Sequence, residues 1–143
     1  MGLAKVVVGK TYTTCGTPDY FAPELISSSG HNHAVDWWCL GILMFELLGR
    51  HPPFESGTPM LTYKKVTKGI DIVRFPKQCR GDAESLIKGL LCAHPSERLP
   101  MKKGDVSNIK DHPWYSGFNW DAMFDLSMTP PYLPTVRSNQ DGR

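Results

Sequence analysis

No stretch of this chain is long and apolar enough to cross a bilayer. The longest apolar run, between Trp37 and Leu48, is broken by Gly41 and Glu46. It falls short of the ~20 residues a spanning helix needs. The N-terminus lacks the apolar stretch of a secretory signal. Met1-Gly2 opens like a myristoylation signal, but Val6 stands where Ser or Thr is required, which excludes that reading. An excess of one charge is also lacking: 16 Lys and Arg face 14 Asp and Glu, a net of +2. That balance argues against nucleic-acid or membrane partners recruited by bulk electrostatics. Cysteine is sparse. Cys15, Cys39, Cys79 and Cys92 show no CxxC spacing and no histidine at metal-ligand spacing, and His31, His33, His51, His94 and His112 form no metal motif. Reduced thiols in a cytoplasmic protein are the expectation. There are no internal repeats and no low-complexity tract.

What is present suits a soluble globular protein of one-domain size: 143 residues, 41% apolar and 21% charged. The pattern predicts a mainly helical chain. Residues 1 to 24 read as a loop, with a short strand possible at Val6-Val7-Val8. Ala22 to Ile26 makes one helical turn, and Ser27 to His33 is a polar connection. Asp36 is a good N-cap for a helix over Trp37 to Leu48. That helix is apolar on nearly all faces, so it should run through the middle of a core, anchored by Trp38, Leu43 and Leu47. Thr58-Pro59 opens a second helix closed by Gly69. Asp82 caps a third, with Ala83, Leu86, Ile87, Leu90 and Leu91 on one face. Short helices are expected over Val106 to Lys110 and Trp120 to Leu126. From Thr129 the prolines impose extended chain, and Ser138 to Arg143 should be disordered.

Glu46 is the anomaly within the apolar helix. A carboxylate buried there is costly unless paired, so it either reaches solvent at the helix end or meets a cation.

Residues 13 to 24 read Thr-Thr-Cys-Gly-Thr-Pro-Asp-Tyr-Phe-Ala-Pro-Glu, and Asp36-Trp37-Trp38 begins twelve residues after Glu24. This pairing resembles the activation segment and following buried helix of a eukaryotic protein kinase. Gly2-Leu3-Ala4-Lys5 resembles the end of the Asp-Phe-Gly motif and the strand after it, with Met1 in the place of Phe. Ser96-Glu97-Arg98-Leu99 resembles the arginine-bearing turn of the same lobe. The match lies in the AGC group of serine/threonine kinases. Gly69-Ile70-Asp71-Ile72, Gly117-Phe118-Asn119-Trp120 and Thr129-Pro130-Pro131 look most like the cGMP-dependent type. Ala34-Val35-Asp36-Trp37-Trp38 also resembles the cAMP-dependent type. Two positions depart from the pattern: the order Gly49-Arg50 before Pro52-Pro53-Phe54, and Pro100 after Arg98-Leu99.

The resemblance implies the lower, C-terminal lobe of the kinase fold, incomplete, over residues 1–115, with the start of an AGC C-terminal tail over 116–143. It implies an activation-loop phosphosite at Thr13 with Lys5 as a phosphate partner. Substrate docking would fall to Thr14, Thr17, Pro18, Phe21 and Glu46, with Glu46 receiving an arginine two residues before the target. Glu24 and Arg98 would form a structural ion pair, and Asp36 would hold the catalytic-loop backbone in a complete domain. The Gly-rich cover, the strand lysine, the catalytic-loop Asp and Asn, and the metal-binding Asp are not found among these residues. No catalytic, cofactor-binding or metal residue is therefore assigned. ATP and Mg²⁺ are expected of the parent kinase, as are an N-lobe, a cyclic-nucleotide-binding regulatory region and protein substrates with basic residues before the target. The chain alone is expected to be inactive. A non-catalytic docking or decoy module is the alternative. Without the catalytic loop and the helix before it, apolar surface around residues 37 to 48 should be exposed.

Overall fold

A central helix organises the fold. The computed structural model describes residues 2–135, so the expected disorder at Ser138 to Arg143 lies outside the described residues. In chain order the α-helices are α1 (Pro23–Ile26), α2 (Ala34–Gly49), α3 (Pro59–Val66), α4 (Asp82–Leu90), α5 (Ser107–Lys110) and α6 (Trp120–Phe124). Six single turns of 3₁₀ helix link or precede them. Among the described residues there is no strand, only an isolated antiparallel bridge between Thr11 and His31. Val6-Val7-Val8 is not a strand, because no partner chain lies beside it and both Val6 and Val8 face solvent.

Helix α2 begins three residues before the expected start. Asn32 Oδ1 accepts the Ala34 N–H at 3.0 Å and His33 occupies the cap position, so Asp36 lies in the first turn instead of capping it. A carboxylate there still complements the positive end of the helix dipole. The helix ends where Arg50 turns left-handed at φ 68° and its N–H donates to Glu46 O at 2.7 Å. Glycine adopts that conformation without the Cβ clash that arginine meets. Thr58 caps α3 by accepting the Leu61 N–H at 3.4 Å, with Pro59 at the first helical position. Asp82 is the first residue of α4, and Gly81 at φ 73° takes the cap position.

One face of α2 makes the main core. Trp38, Ile42 and Phe45 are fully buried and pack with buried Phe54, Val66, Ile70, Phe75, Ile87 and Leu91. Trp38 stacks on Phe54 with ring centroids 5.8 Å apart. A second cluster, Leu86, Leu90 and Ile109, gathers under Trp37, Leu40, Leu99 and Tyr115. Helices α2 and α4 cross at Gly41, where an added Cβ would stand 2.8 Å from Leu91 Cγ and Cδ2. Only the backbone of a glycine allows that approach.

The opposite face of α2 is not core. Leu43 is 41% exposed and Leu47 73% exposed, against the expectation that both anchor the interior. They lie one turn apart on the stripe that also carries Asp36 and half-buried Leu40. Leu40 packs on the Leu86, Leu90 and Ile109 cluster, but no described element buries Leu43 or Leu47. Apolar surface at residues 37 to 48 is thus partly open. Among the described residues no helix is long and apolar enough to cross a membrane.

Candidate functional site

The activation-segment residues fold against the start of α2 and are held at two points. The Thr11–His31 bridge is closed by N–H···O bonds of 2.8 and 2.9 Å. The Tyr12 ring covers Gly30, which is buried at φ 77° and has no room for a Cβ. Lys5 reaches across the segment, donating to Thr11 Oγ1 at 3.0 Å and to Thr13 Oγ1 at 3.5 Å. All three groups are accessible to solvent, and Thr13 is exposed. A phosphate on Thr13 would place a charge of about −1.5 to −2 beside the Lys5 ammonium.

Between this segment and the first half of α2 lies an open cavity of about 800 Å³. Leu3, Lys5, Cys15, Thr17, Asp36 and Cys39 are among its walls. Thr14 is exposed and does not line it. Burial, with the Asp36 carboxylate adding to it, pushes the Cys39 thiol up to about 11. Its Sγ donates to Tyr20 O at 3.6 Å, so this thiol stays protonated at neutral pH. Cys15 is exposed, and all four cysteines are free.

Thr17 precedes the 3₁₀ turn Pro18–Tyr20, and its carbonyl accepts the Tyr20 N–H at 3.0 Å. The turn aims Tyr20 and Phe21 in different directions. Phe21 stacks on Tyr63 of α3, with centroids 6.0 Å apart and planes 4° from parallel. The Tyr20 hydroxyl donates to Glu46 Oε2 at 2.5 Å. This bond, with burial and the Glu46 charge behind it, pushes the Tyr20 phenol up to about 12. Glu46 is half-buried, and its second oxygen has no protein partner among the described residues. The carboxylate is thus neither sunk in the core nor loose in water. Sequence reasoning missed Tyr20 as its partner. The only signal was an unexplained tyrosine after Pro18-Asp19, 26 residues from the acid.

Glu24 and Arg98 meet in the interior. Arg98 Nη1 donates to Glu24 Oε1 and Nη2 to Oε2, both at 2.7 Å. Nη1 also donates to Ala34 O at 2.7 Å and Nε to Cys92 O at 3.1 Å. Arg98 is 0% exposed and Glu24 6%. The guanidinium lies 5.1 Å from the Trp38 ring centroid. One side chain thereby ties α1, the start of α2 and the loop after α4. Asp36 stays exposed at the cavity edge and touches none of these groups.

Among the described residues no group of three His, Cys, Asp or Glu side chains could hold a metal ion.

A helical lobe built on one buried helix, tied to the preceding segment by a buried Glu–Arg fork, is the architecture of the lower half of a protein kinase. The protein kinase domain family matches residues 1–115, and the chain belongs to that family. Its relatives place it with the cyclic-nucleotide-dependent serine/threonine kinases of the AGC group. It is 45% identical over 144 residues to cGMP-dependent protein kinase, isozyme 1, of Drosophila melanogaster, covering 99% of this chain and 19% of that protein. It is 46% identical over 132 residues to the isozyme 2 forms cD5/T2 of the same organism, covering 92% of this chain and 14% of that one. The cAMP-dependent protein kinase catalytic subunit PRKX of Homo sapiens is 40% identical over 140 residues, covering 98% of this chain and 38% of that protein. The chain spans well under half the length of these curated relatives.

Proposed function

We propose that these residues are the substrate-docking part of a cGMP-dependent-type serine/threonine kinase. Its complete domain moves the γ-phosphoryl group of ATP to Ser or Thr near basic residues, in the cytoplasm. The observation that carries this is the Tyr20–Glu46 pair. Tyr20 fixes one carboxylate oxygen and leaves the other open at a half-buried position. A guanidinium suits such a group, because charge-assisted bonds form in partial shelter from water. Phe21, Pro18 and Thr14 then supply the neighbouring docking contacts, with an apolar side chain after the target meeting Phe21. Lys5 is the partner of a phosphate on Thr13. The cavity beside Asp36 faces the remainder of the catalytic domain, which brings ATP, Mg²⁺ and the catalytic Asp.

The docking pair lies wholly inside this chain, and that favours a second reading, in which the chain acts as a non-catalytic docking or decoy module. Both readings require a peptide with Arg two residues before Ser to bind the chain, and binding to fall in Glu46→Gln. Absence of binding at millimolar peptide would overturn both. ATP-dependent phosphorylation by the purified chain would overturn the claim that it is inactive alone.

A further inference from the structure

From Glu46 the docking region continues to α3 through the Tyr20-Phe21 segment. Tyr20 holds Glu46, Phe21 follows Tyr20 in the chain, and Phe21 stacks on Tyr63. Helical spacing puts Met60, Tyr63, Lys64 and Thr67 on one stripe. Met60 is 64% exposed on that stripe. Lys64 is exposed, and its ammonium has no hydrogen-bond or ion-pair partner among the described residues. Lys65, by contrast, donates to Glu55 O at 2.6 Å. Lys68 stands one turn beyond Lys64 and is also exposed. Over residues 50–80 Lys and Arg outnumber Asp and Glu seven to two. The other end of the face carries Glu46 and Asp19. Lysines in a last turn complement the helix dipole. That does not account for Met60 lying open beside an aromatic stack. An exposed apolar side chain and an unpaired cation on one stripe fit an incoming acidic segment.

Resting on the docking reading of Glu46 and Phe21, we propose that Lys64, with Lys68 behind it, determines specificity for an acidic residue after the target. The substrate is then dipolar, with Arg before the phosphorylated residue and Asp or Glu after it. An extended peptide advances about 3.3 Å per residue. From the Phe21 contact, the 6.0 Å step to Tyr63 and the reach of a lysine place the acid roughly two to four residues past the target. Met60 receives the apolar part of an intervening side chain.

The test is fluorescence anisotropy with the whole chain at low salt. Four peptides carry Arg or Ala two residues before Ser, combined with Glu-Glu or Ala-Ala at the third and fourth positions after it. The Arg and Glu-Glu peptide should bind about threefold tighter than its Arg and Ala-Ala counterpart, the scale of an exposed charge pair. That advantage should vanish in Lys64→Gln, reverse in Lys64→Glu and fade in 0.5 M salt. Melting curves should be unchanged, since Lys64 is exposed. An acid preference absent from the parent chain, or untouched by both Lys64 variants, overturns the proposal. If Arg dependence is lost in Glu46→Gln while acid dependence ignores Lys64, this inference falls and the docking reading stands. If Arg dependence survives Glu46→Gln while acid dependence follows Lys64, the docking reading falls and the Lys64 assignment stands.

Discussion

The Tyr20 hydroxyl donates to Glu46 Oε2 at 2.5 Å, joining the Pro18–Tyr20 turn to the far end of the central helix. Both partners register the bond: the phenol is pushed up to about 12, and the carboxylate is fixed with one oxygen outward. The folded pKa lies above the ordinary value of about 10. Stability from this pair is therefore full below pH about 10 and is lost as pH rises through about 12. Tyr20 should ionise late in a 295 nm titration. In Glu46→Gln that late step should move down toward the ordinary range, because the bond to a carboxylate is lost and its charge with it. A parent chain with no late-ionising phenol would contradict the pair.

The Glu24–Arg98 fork predicts a large and asymmetric loss of stability. Removing one member leaves the other charge buried without its partner, at a cost of ~3–5 kcal/mol. Urea unfolding should show this for Glu24→Gln and for Arg98→Met taken singly. The double variant should lose less than the sum of the two, since no orphaned charge remains. Additive losses would mean that the fork is not coupled.

Much of this architecture was legible because local rules and the packed structure agree. Thr58-Pro59 caps α3 as its sequence says, and the apolar face of α4 is the buried one. The Glu24–Arg98 pair, 74 residues apart, was reached through the family resemblance and not through spacing. Elsewhere, local patterns misled. Asp36 looked like a cap, but the Asn32 side chain starts α2 earlier. Leu43 and Leu47 looked like core because periodicity reports apolarity and says nothing of whether a neighbour exists to bury it. Tyr20 escaped notice because a hydrogen bond between distant segments leaves no periodic trace. Lys64 escaped for a similar reason, since its meaning depends on the Phe21–Tyr63 stack.

Two helical glycines should respond to alanine with opposite signs. At Gly41 the new Cβ would stand 2.8 Å from Leu91 and 3.0 Å from Leu90 Cβ, in a packed crossing. Overpacking there costs ~1–3 kcal/mol, which outweighs the helix-propensity gain of ~1 kcal/mol. At Gly89 the nearest atoms are Leu99 side-chain carbons at 3.6 Å or more, an ordinary contact. Gly89→Ala should therefore raise stability by ~0.5–1 kcal/mol. Thermal melts of the two variants would decide it, and a stabilised Gly41→Ala would mean that α2 and α4 lie farther apart.

The open stripe on α2 predicts self-association of the isolated chain. Leu43 and Leu47 face solvent one turn apart, with Leu40 beside them. Burying such side chains against a second surface yields ~25 cal/mol per Å² of apolar area. Exposed apolar patches of this kind drive association. Light scattering should report oligomers whose fraction rises with concentration. Leu43→Lys with Leu47→Glu should return the chain to a monomer with little loss of fold, since neither side chain is part of the buried clusters. The introduced charges stand i,i+4, and together they keep the net charge at +2. A change in association would then come from the lost apolar surface and not from altered repulsion between copies. A parent chain that stays monomeric at all concentrations would show that two open leucines and their half-buried neighbour are too small a patch to hold two copies together.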